Sequence, residues 1–182
     1  MPCLNKDFLL KLKDDYTKYS CFIETGTFYG ATIFAFESYF DKLYTIEFSE
    51  KHYNITKNKY NGNKINFILG DSSIVFKTLL PTITDKAIFF LDGHWSCEDT
   101  GRSEKDVPLN EEIKYINELF NNEAIIIIDD YRLFGLHIME DWSNINKDSL
   151  LNILKLRIKD VYHLDSEYAV NDRLIIHINA KK

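Results

Sequence analysis

Two short apolar runs constrain this chain more than any other feature. Ile88-Phe89-Phe90-Leu91 leads into Asp92-Gly93-His94-Trp95, and Ala124-Ile125-Ile126-Ile127-Ile128 leads into Asp129-Asp130-Tyr131. Both runs are β-branched or aromatic and too short for helices, so they read as strands buried on both faces, as in a parallel sheet. Between them lie a polar loop and one amphipathic helix, Pro108 to Phe120. Such a strand–helix–strand unit crosses over right-handed and brings both strand ends to one edge of the sheet. In open α/β sheets that carboxyl edge is where ligands bind. The carboxylates of Asp92, Asp129 and Asp130 therefore converge there with His94. Clustered carboxylates repel unless protons or a cation hold them, and hard oxygen donors suit Mg²⁺, Mn²⁺ or Ca²⁺.

The rest of the chain repeats the pattern. Phe8, Leu9, Leu12 and Tyr16 recur at helical spacing and predict a leading helix from Asn5, its cap, to Tyr19. Cys21-Phe22-Ile23 is a short strand that runs into Glu24-Thr25-Gly26-Thr27-Phe28-Tyr29-Gly30-Ala31-Thr32, with a helix following to Phe40. Leu43 to Ile46 is a strand ending in Glu47, and Ser49 caps a helix to about Lys59. Ile65 to Leu69 is a strand, followed by Gly70-Asp71-Ser72-Ser73 and a helix to about Leu80 that Pro81 ends. Residues 131–146 read as irregular and 149–157 as a helix. Val161 to Leu164 and Arg173 to Ile178 are joined by a hairpin-like connection, so the last strand is expected to run antiparallel. Five βα units and a hairpin predict a doubly wound, mostly parallel α/β sheet of seven strands, in a single domain spanning residues 1–182.

A further regularity points to function. Each of the first five strands ends in or just before an acid: Glu24, Glu47, Asp71, Asp92 and the Asp129-Asp130 pair. The first loop discriminates among ligands. A dinucleotide fold uses G-x-G-x-x-G, so that backbone N–H groups can approach a pyrophosphate. Here Glu24-x-Gly26-x-x-x-Gly30 encloses Phe28 and Tyr29. A leading carboxylate and bulky rings disfavour a pyrophosphate and favour a ligand with a positive end, which the sulfonium and ammonium of S-adenosylmethionine match. Glu47, about 20 residues on, stands where an acid accepts hydrogen bonds from ribose hydroxyls. Asp71 and Ser72 suit an adenine amino group. Thr25, Thr27, Thr32, Ser73 and Asp92 complete the expected cofactor set.

Composition narrows the partners. With 28 acidic against 22 basic residues the net charge is −6, and no basic run marks a nucleic-acid footprint. Cys3, Cys21 and Cys97 are widely spaced without a C-x-x-C, which suggests a reducing, cytoplasmic setting and no structural zinc. No apolar stretch is long enough to span a bilayer, so no membrane insertion is expected.

Three of these motifs together resemble a known family. Ile23-Glu24-Thr25-Gly26 through Gly30-Ala31-Thr32-Ile33, Leu91-Asp92-Gly93-His94 and Ile128-Asp129-Asp130-Tyr131 are similar, in order and spacing, to the signatures of macrocin-type, metal-dependent sugar and antibiotic O-methyltransferases. These belong to the class I S-adenosylmethionine-dependent methyltransferases. The resemblance covers about residues 22–131 and implies the strand order 3-2-1-4-5-7-6. It implies Mg²⁺ at Asp92, Asp129 and Asp130, and a general base at His94, where the family usually has Asp. A neutral imidazole can take a proton from a hydroxyl near pH 7. The N-terminal segment is shorter than in many members, so the acceptor pocket is expected to be open or completed by a second copy in a homodimer. The acceptor is then a hydroxyl of a sugar or terminal glycan residue. The alternatives are a catechol-like diol and a catalytically silent, cofactor-binding scaffold.

Other residues carry plainer expectations. His52, His163 and His177 read as structural or surface groups, and His137 as a weak candidate on the acceptor side. Trp95, Tyr131, Phe134 and Trp142 read as an apolar wall or ordinary core. Residues 96–107 read as a mobile lid or a solvated loop, and Asp130 has Arg132 or Arg102 as a candidate partner. If a divalent ion orients the hydroxyl, EDTA abolishes methyl transfer; full turnover in chelator would remove the ion from the reaction.

Overall fold

The computed structural model describes residues 4–95 and 106–182. Cys3, Cys97, Arg102 and the expected lid at 96–105 lie outside the described residues. Seven strands form one sheet in the order β3-β2-β1-β4-β5-β7-β6. They are β1 (Cys21–Thr25), β2 (Lys42–Glu47), β3 (Ile65–Leu69), β4 (Ala87–Leu91), β5 (Ala124–Ile128), β6 (Ile158–Leu164) and β7 (Arg173–Ile178). The first five pair in parallel, and β7 runs antiparallel to both β5 and β6. Fold class, strand order and reversed last strand all match the sequence expectation.

The central strands are buried on both faces, which is why they read as unbroken apolar runs. Phe22, Ile88, Phe90, Ile125 and Ile127 point to one face. There they meet Phe8 and Leu9 of α1 (Lys6–Leu9) and Ile33 and Phe36 of α2 (Ala31–Phe36). Phe89, Leu91, Ile126, Ile128 and Ile176 point to the other face. There they meet Phe76 of α4 (Ser72–Leu79), Ile113 and Ile116 of α5 (Leu109–Leu119), and Leu150 and Leu154 of α6 (Lys147–Leu154). The helix α3 (Glu50–Lys59) follows β2 and starts at the Ser49 cap.

Several boundaries differ from expectation, for local reasons. The leading helix stops after one turn. Asp14 and Asp15 offer their carboxylates to the N–H groups of Asp15 and Thr17, which starts a separate 3₁₀ turn at Tyr16–Lys18 instead of continuing the helix. The Asn5 cap is as expected, accepting from the Phe8 N–H at 3.0 Å. α2 ends at Phe36 rather than Phe40, because the chain turns so that the Asp41 and Lys42 amides reach the Ser20 carbonyl. α6 begins at Lys147 behind an Asn146 cap, and β6 begins at Ile158, three residues before the expected start. Cys21 is a small residue buried at the start of β1. Among the described residues no helix is long and apolar enough to cross a membrane.

Arg157 closes the far end of the fold. Its guanidinium donates to the carbonyls of Ile116, Asn117, Phe120, Asn122 and Asn179, and so satisfies the C-terminal carbonyls of α5 and ties them to the exit of β7. Arg157→Ala leaves these buried acceptors without a donor and should cost about 3 kcal/mol in urea unfolding. A loss below about 1 kcal/mol would show that water replaces the guanidinium.

Candidate active site

The site is built at the strand ends by ladder hydrogen bonds that run one residue past the strands. The Asp92 N–H donates to the Thr25 carbonyl and the Asp129 N–H to the Leu91 carbonyl, each at 3.2 Å. The Gly26 N–H donates to Ile46 and the Gly70 N–H to Glu47, each at 2.9 Å. The acids are therefore placed side by side by sheet register.

The first loop turns sharply, with positive φ at Gly26 (85°), Phe28 (48°) and Gly30 (80°). At Gly26 a Cβ would lie 2.4 Å from the Asp92 carbonyl oxygen, so only glycine lets the first and fourth strand ends approach this closely. Glu24 is buried and accepts from the Thr45 hydroxyl at 2.8 Å, which in turn meets the Thr27 hydroxyl at 2.5 Å. Burial raises the Glu24 pKa well above the usual carboxylate range, Thr45 opposes this, and the Asp92 and Glu47 charges add to it. Glu47 accepts the N–H groups of Phe28 and Ser49, each at 2.8 Å, and so staples the loop to the end of β2. Asp71 caps α4 through the Ser73 amide and hydroxyl, and Ser72 is buried beside it. Thr32 is turned away from this set, because its hydroxyl accepts the Leu4 N–H and anchors the N-terminal segment. His52 is fully buried rather than on an open helix face, packed against the rings of Phe28 and Tyr29.

The acidic cradle has a different membership from the one expected. Donor atoms of Asp92, His94 and Asp130 lie within 4.8 Å of one another, and those of Asp129, Asp130 and Asp172 form a second such group. His94 Nε2 is 2.8 Å from Asp130 Oδ2 and 3.4 Å from Asp92 Oδ1. Its Nδ1 is 3.2 Å from the Trp95 carbonyl oxygen and 3.3 Å from Glu140 Oε2. Asp129 instead takes Arg173, whose Nε donates at 3.2 Å, and Asp130 shares Arg132 with Asp172. Asp130 sits in the left-handed region, at φ 57°. Of the two candidate partners for Asp130, Arg132 pairs with it, and Arg102 lies outside the described residues.

Electrostatics follow from this pairing. Burial disfavours the His94 charge, but hydrogen bonds to Asp130, Asp92 and Glu140 override it and hold the imidazole well above its usual 6.5. Burial raises Asp92, against the pull of His94. Burial also pushes Asp129 up to about 7, helped by Asp92 and opposed by Arg173. At Asp130, His94 and Arg132 overcome burial and keep the carboxyl below its usual value. An imidazolium has no lone pair for an incoming proton, so His94 acts as a base only when something displaces this proton.

Trp142, Phe134 and Tyr131, three of the four aromatic residues singled out in the sequence, pack together, with Phe134 stacked on Trp142 and the Trp142 ring edge-on to His94 at 5.0 Å. Trp142 is core, not an open platform, at 3% exposure. His137 is exposed and pairs with Asp141, while His163 meets Lys147 and His177 meets Tyr162.

Four groups of the site escaped sequence reasoning. Glu140, Arg173 and Asp172 follow irregular chain or a hairpin and carry no local signal. Glu112 does carry one, since it falls on the apolar stripe of Leu109, Ile113 and Ile116. It is 1% exposed, and its Oε1, like Thr25 Oγ1, has no hydrogen-bond partner. It lines a void of about 10 Å³ together with Asp92, Gly93, His94 and Trp142.

No protein-family model matches the sequence, and no curated protein matches it. Solved structures do resemble the fold. A Streptococcus mutans protein described as a methyltransferase, crystallised with S-adenosylhomocysteine, shares 20% identity over 96% of this chain and 94% of that one, with a TM-score of 0.57. The N-methyltransferase NodS of Bradyrhizobium japonicum shares 11% over 96% and 93%, at 0.59. An rRNA methylase of Streptococcus thermophilus shares 16% over 96% and 93%, at 0.55. The chain thus has the Rossmann-like fold of S-adenosylmethionine-dependent methyltransferases, a fold whose bearers here include enzymes named for quite different acceptors.

Glu112 yields a pH test. Burial pushes its carboxyl up to about 7, above the usual 4.5. Between those values the folded chain keeps a proton that the unfolded chain releases, so this contribution is full below pH 4.5 and is lost as pH rises through 7. Glu112→Gln removes the titration. Urea unfolding should show the variant gaining on the parent from pH 5 to pH 8, by up to about 3 kcal/mol. Parallel pH profiles would mean that Glu112 is ionised in the folded chain.

Proposed function

We propose that this protein is an S-adenosylmethionine-dependent O-methyltransferase acting on a hydroxyl of a small molecule, with a sugar or terminal glycan residue as the leading acceptor. One observation carries the reading more than the others. Within a methyltransferase-type sheet, the tight Gly26 turn, the buried Glu24 and the stapled Glu47 stand together at the carboxyl edge beside Asp71 and Ser72. A sulfonium and an ammonium answer the acidic surplus here, whereas a pyrophosphate adds to it. In this reading Glu24, with the Thr25–Thr27 turn and Gly30, faces the methionine part. Glu47 keeps acceptor capacity for ribose hydroxyls, and Asp71, Ser72 and Ser73 border the adenine.

The donor set at Asp92, His94 and Asp130 fits a divalent ion by its chemistry, two carboxylates and an imidazole within 4.8 Å. Bound there, such an ion would lower the pKa of a nearby hydroxyl and orient it. The chain's own task is positioning. Methyl transfer is an in-line displacement, and register holds the cofactor loop and the acidic cradle side by side. Trp142 and Phe134 pack behind His94 and keep water from that side. A sugar and a catechol both present vicinal hydroxyls to such a cradle. The sugar reading rests on the motif resemblance at Leu91–His94 and Ile128–Tyr131.

Calorimetric titration of S-adenosylmethionine, with NAD⁺ as control, tests the cofactor. The expected outcome is micromolar binding of the first and none of the second. Binding of neither ligand, with the protein folded, would overturn the methyltransferase reading.

A further inference from the structure

The two sides of the His94 ring are satisfied differently. Nδ1 faces the Trp95 carbonyl and the Glu140 carboxylate, which only accept, so Nδ1 carries a hydrogen. In a neutral ring the Nε2 lone pair would then face Asp130 Oδ2 and Asp92 Oδ1, two carboxylate oxygens. Something positive belongs between Nε2 and these oxygens. A proton is one candidate and a metal ion is the other. Metal-bound histidines characteristically donate their second ring N–H to a carbonyl or carboxylate, as Nδ1 does here. Arg132 engages Asp130 Oδ1 and leaves Oδ2 on the His94 side.

A separate observation also calls for a ligand. The Glu112 Oε1 atom is buried with no hydrogen bond of good geometry, the Ser72 and Thr25 hydroxyls lie beside the carboxyl, and the atom is 3.5 Å from where a Gly93 side chain would begin. Glu112 lines the same small void as Asp92 and His94, whose volume of about 10 Å³ is of the order of one water. A water in this void would bridge Glu112 to an ion held by Asp92 and His94.

We propose that His94 is a ligand of the ion rather than the base, and that Asp92, His94 and Asp130 select a transition-metal ion such as Mn²⁺ over Mg²⁺. This deepens the metal part of the reading above. An imidazole nitrogen is a poor donor for Mg²⁺ and a good one for later first-row ions. Glu140 and the Trp95 carbonyl are positioning groups that fix the ring. Asp129, paired with Arg173, stands outside the ligand set.

Electron paramagnetic resonance of Mn²⁺ added to the purified protein tests this without turnover. Bound Mn²⁺ should show ¹⁴N modulation in three-pulse echo spectra. His94→Gln should lose that modulation and weaken Mn²⁺ binding by about tenfold or more. Glu140→Gln should weaken binding while keeping the modulation, which separates a ligand from a group that positions it. A tenfold excess of Mg²⁺ should leave most Mn²⁺ bound. Absence of Mn²⁺ binding, or bound Mn²⁺ without nitrogen coupling in the parent protein, overturns the proposal, as does ready displacement by Mg²⁺. S-adenosylmethionine titrated into metal-free parent and His94→Gln protein keeps the two readings apart. Cofactor binding without Mn²⁺ binding sinks only the ion site, and nitrogen-coordinated Mn²⁺ without cofactor binding sinks only the methyltransferase.

Discussion

The ladder bonds from Asp92 to Thr25 and from Asp129 to Leu91 are what the rest of the site depends on. They continue parallel register beyond the last strand residue, and so convert sequence position into lateral neighbourhood. A slip of one residue in β4 would turn every apolar side chain of that strand to the opposite face. Such a slip is opposed by the burial of Phe89 and Phe90 on opposite sides of the sheet. Core packing and placement of the acids are therefore one constraint.

The cost of that placement is visible in how the acids are compensated. Asp129 and Asp130 each have a guanidinium, while Glu24 and Glu112 have only hydroxyls or nothing, and burial pushes both toward neutrality. A core built for stability alone would favour apolar residues at Glu24 and Glu112. Their burial at the carboxyl edge of the sheet costs stability and supports the binding role proposed for that edge.

The sheet was legible because its central strands are continuous apolar runs ended by acids, a signal that needs no knowledge of partners. The one-turn leading helix was not, because periodicity reports Phe8 to Tyr16 as one face while the Asp14 and Asp15 side chains compete locally for the backbone. Which cation each acid takes was also hidden. Arg173 and Asp172 reach the site only through antiparallel pairing of β7 with β5, a contact more than 40 residues from Asp129 in sequence. His52 read as structural or surface because α3 is mostly polar, and the loop at Phe28–Tyr29 folds over it and makes it structural. Glu112 was the missed opportunity, an acid on an otherwise apolar stripe.

Gly26 rests against the Asp92 backbone so closely that no side chain fits between them. The turn proposed to face the cofactor and the strand end that opens the acidic cradle are thus two sides of one contact, with no soft layer to absorb a shift. A displacement of Asp92 on loading the cradle would be felt at the turn, and the reverse would hold as well. A cofactor and an ion bound on the two sides of this contact would share a coupling free energy, each changing the other's affinity by the same factor. A binding isotherm at one end of the site becomes a gauge of occupancy at the other.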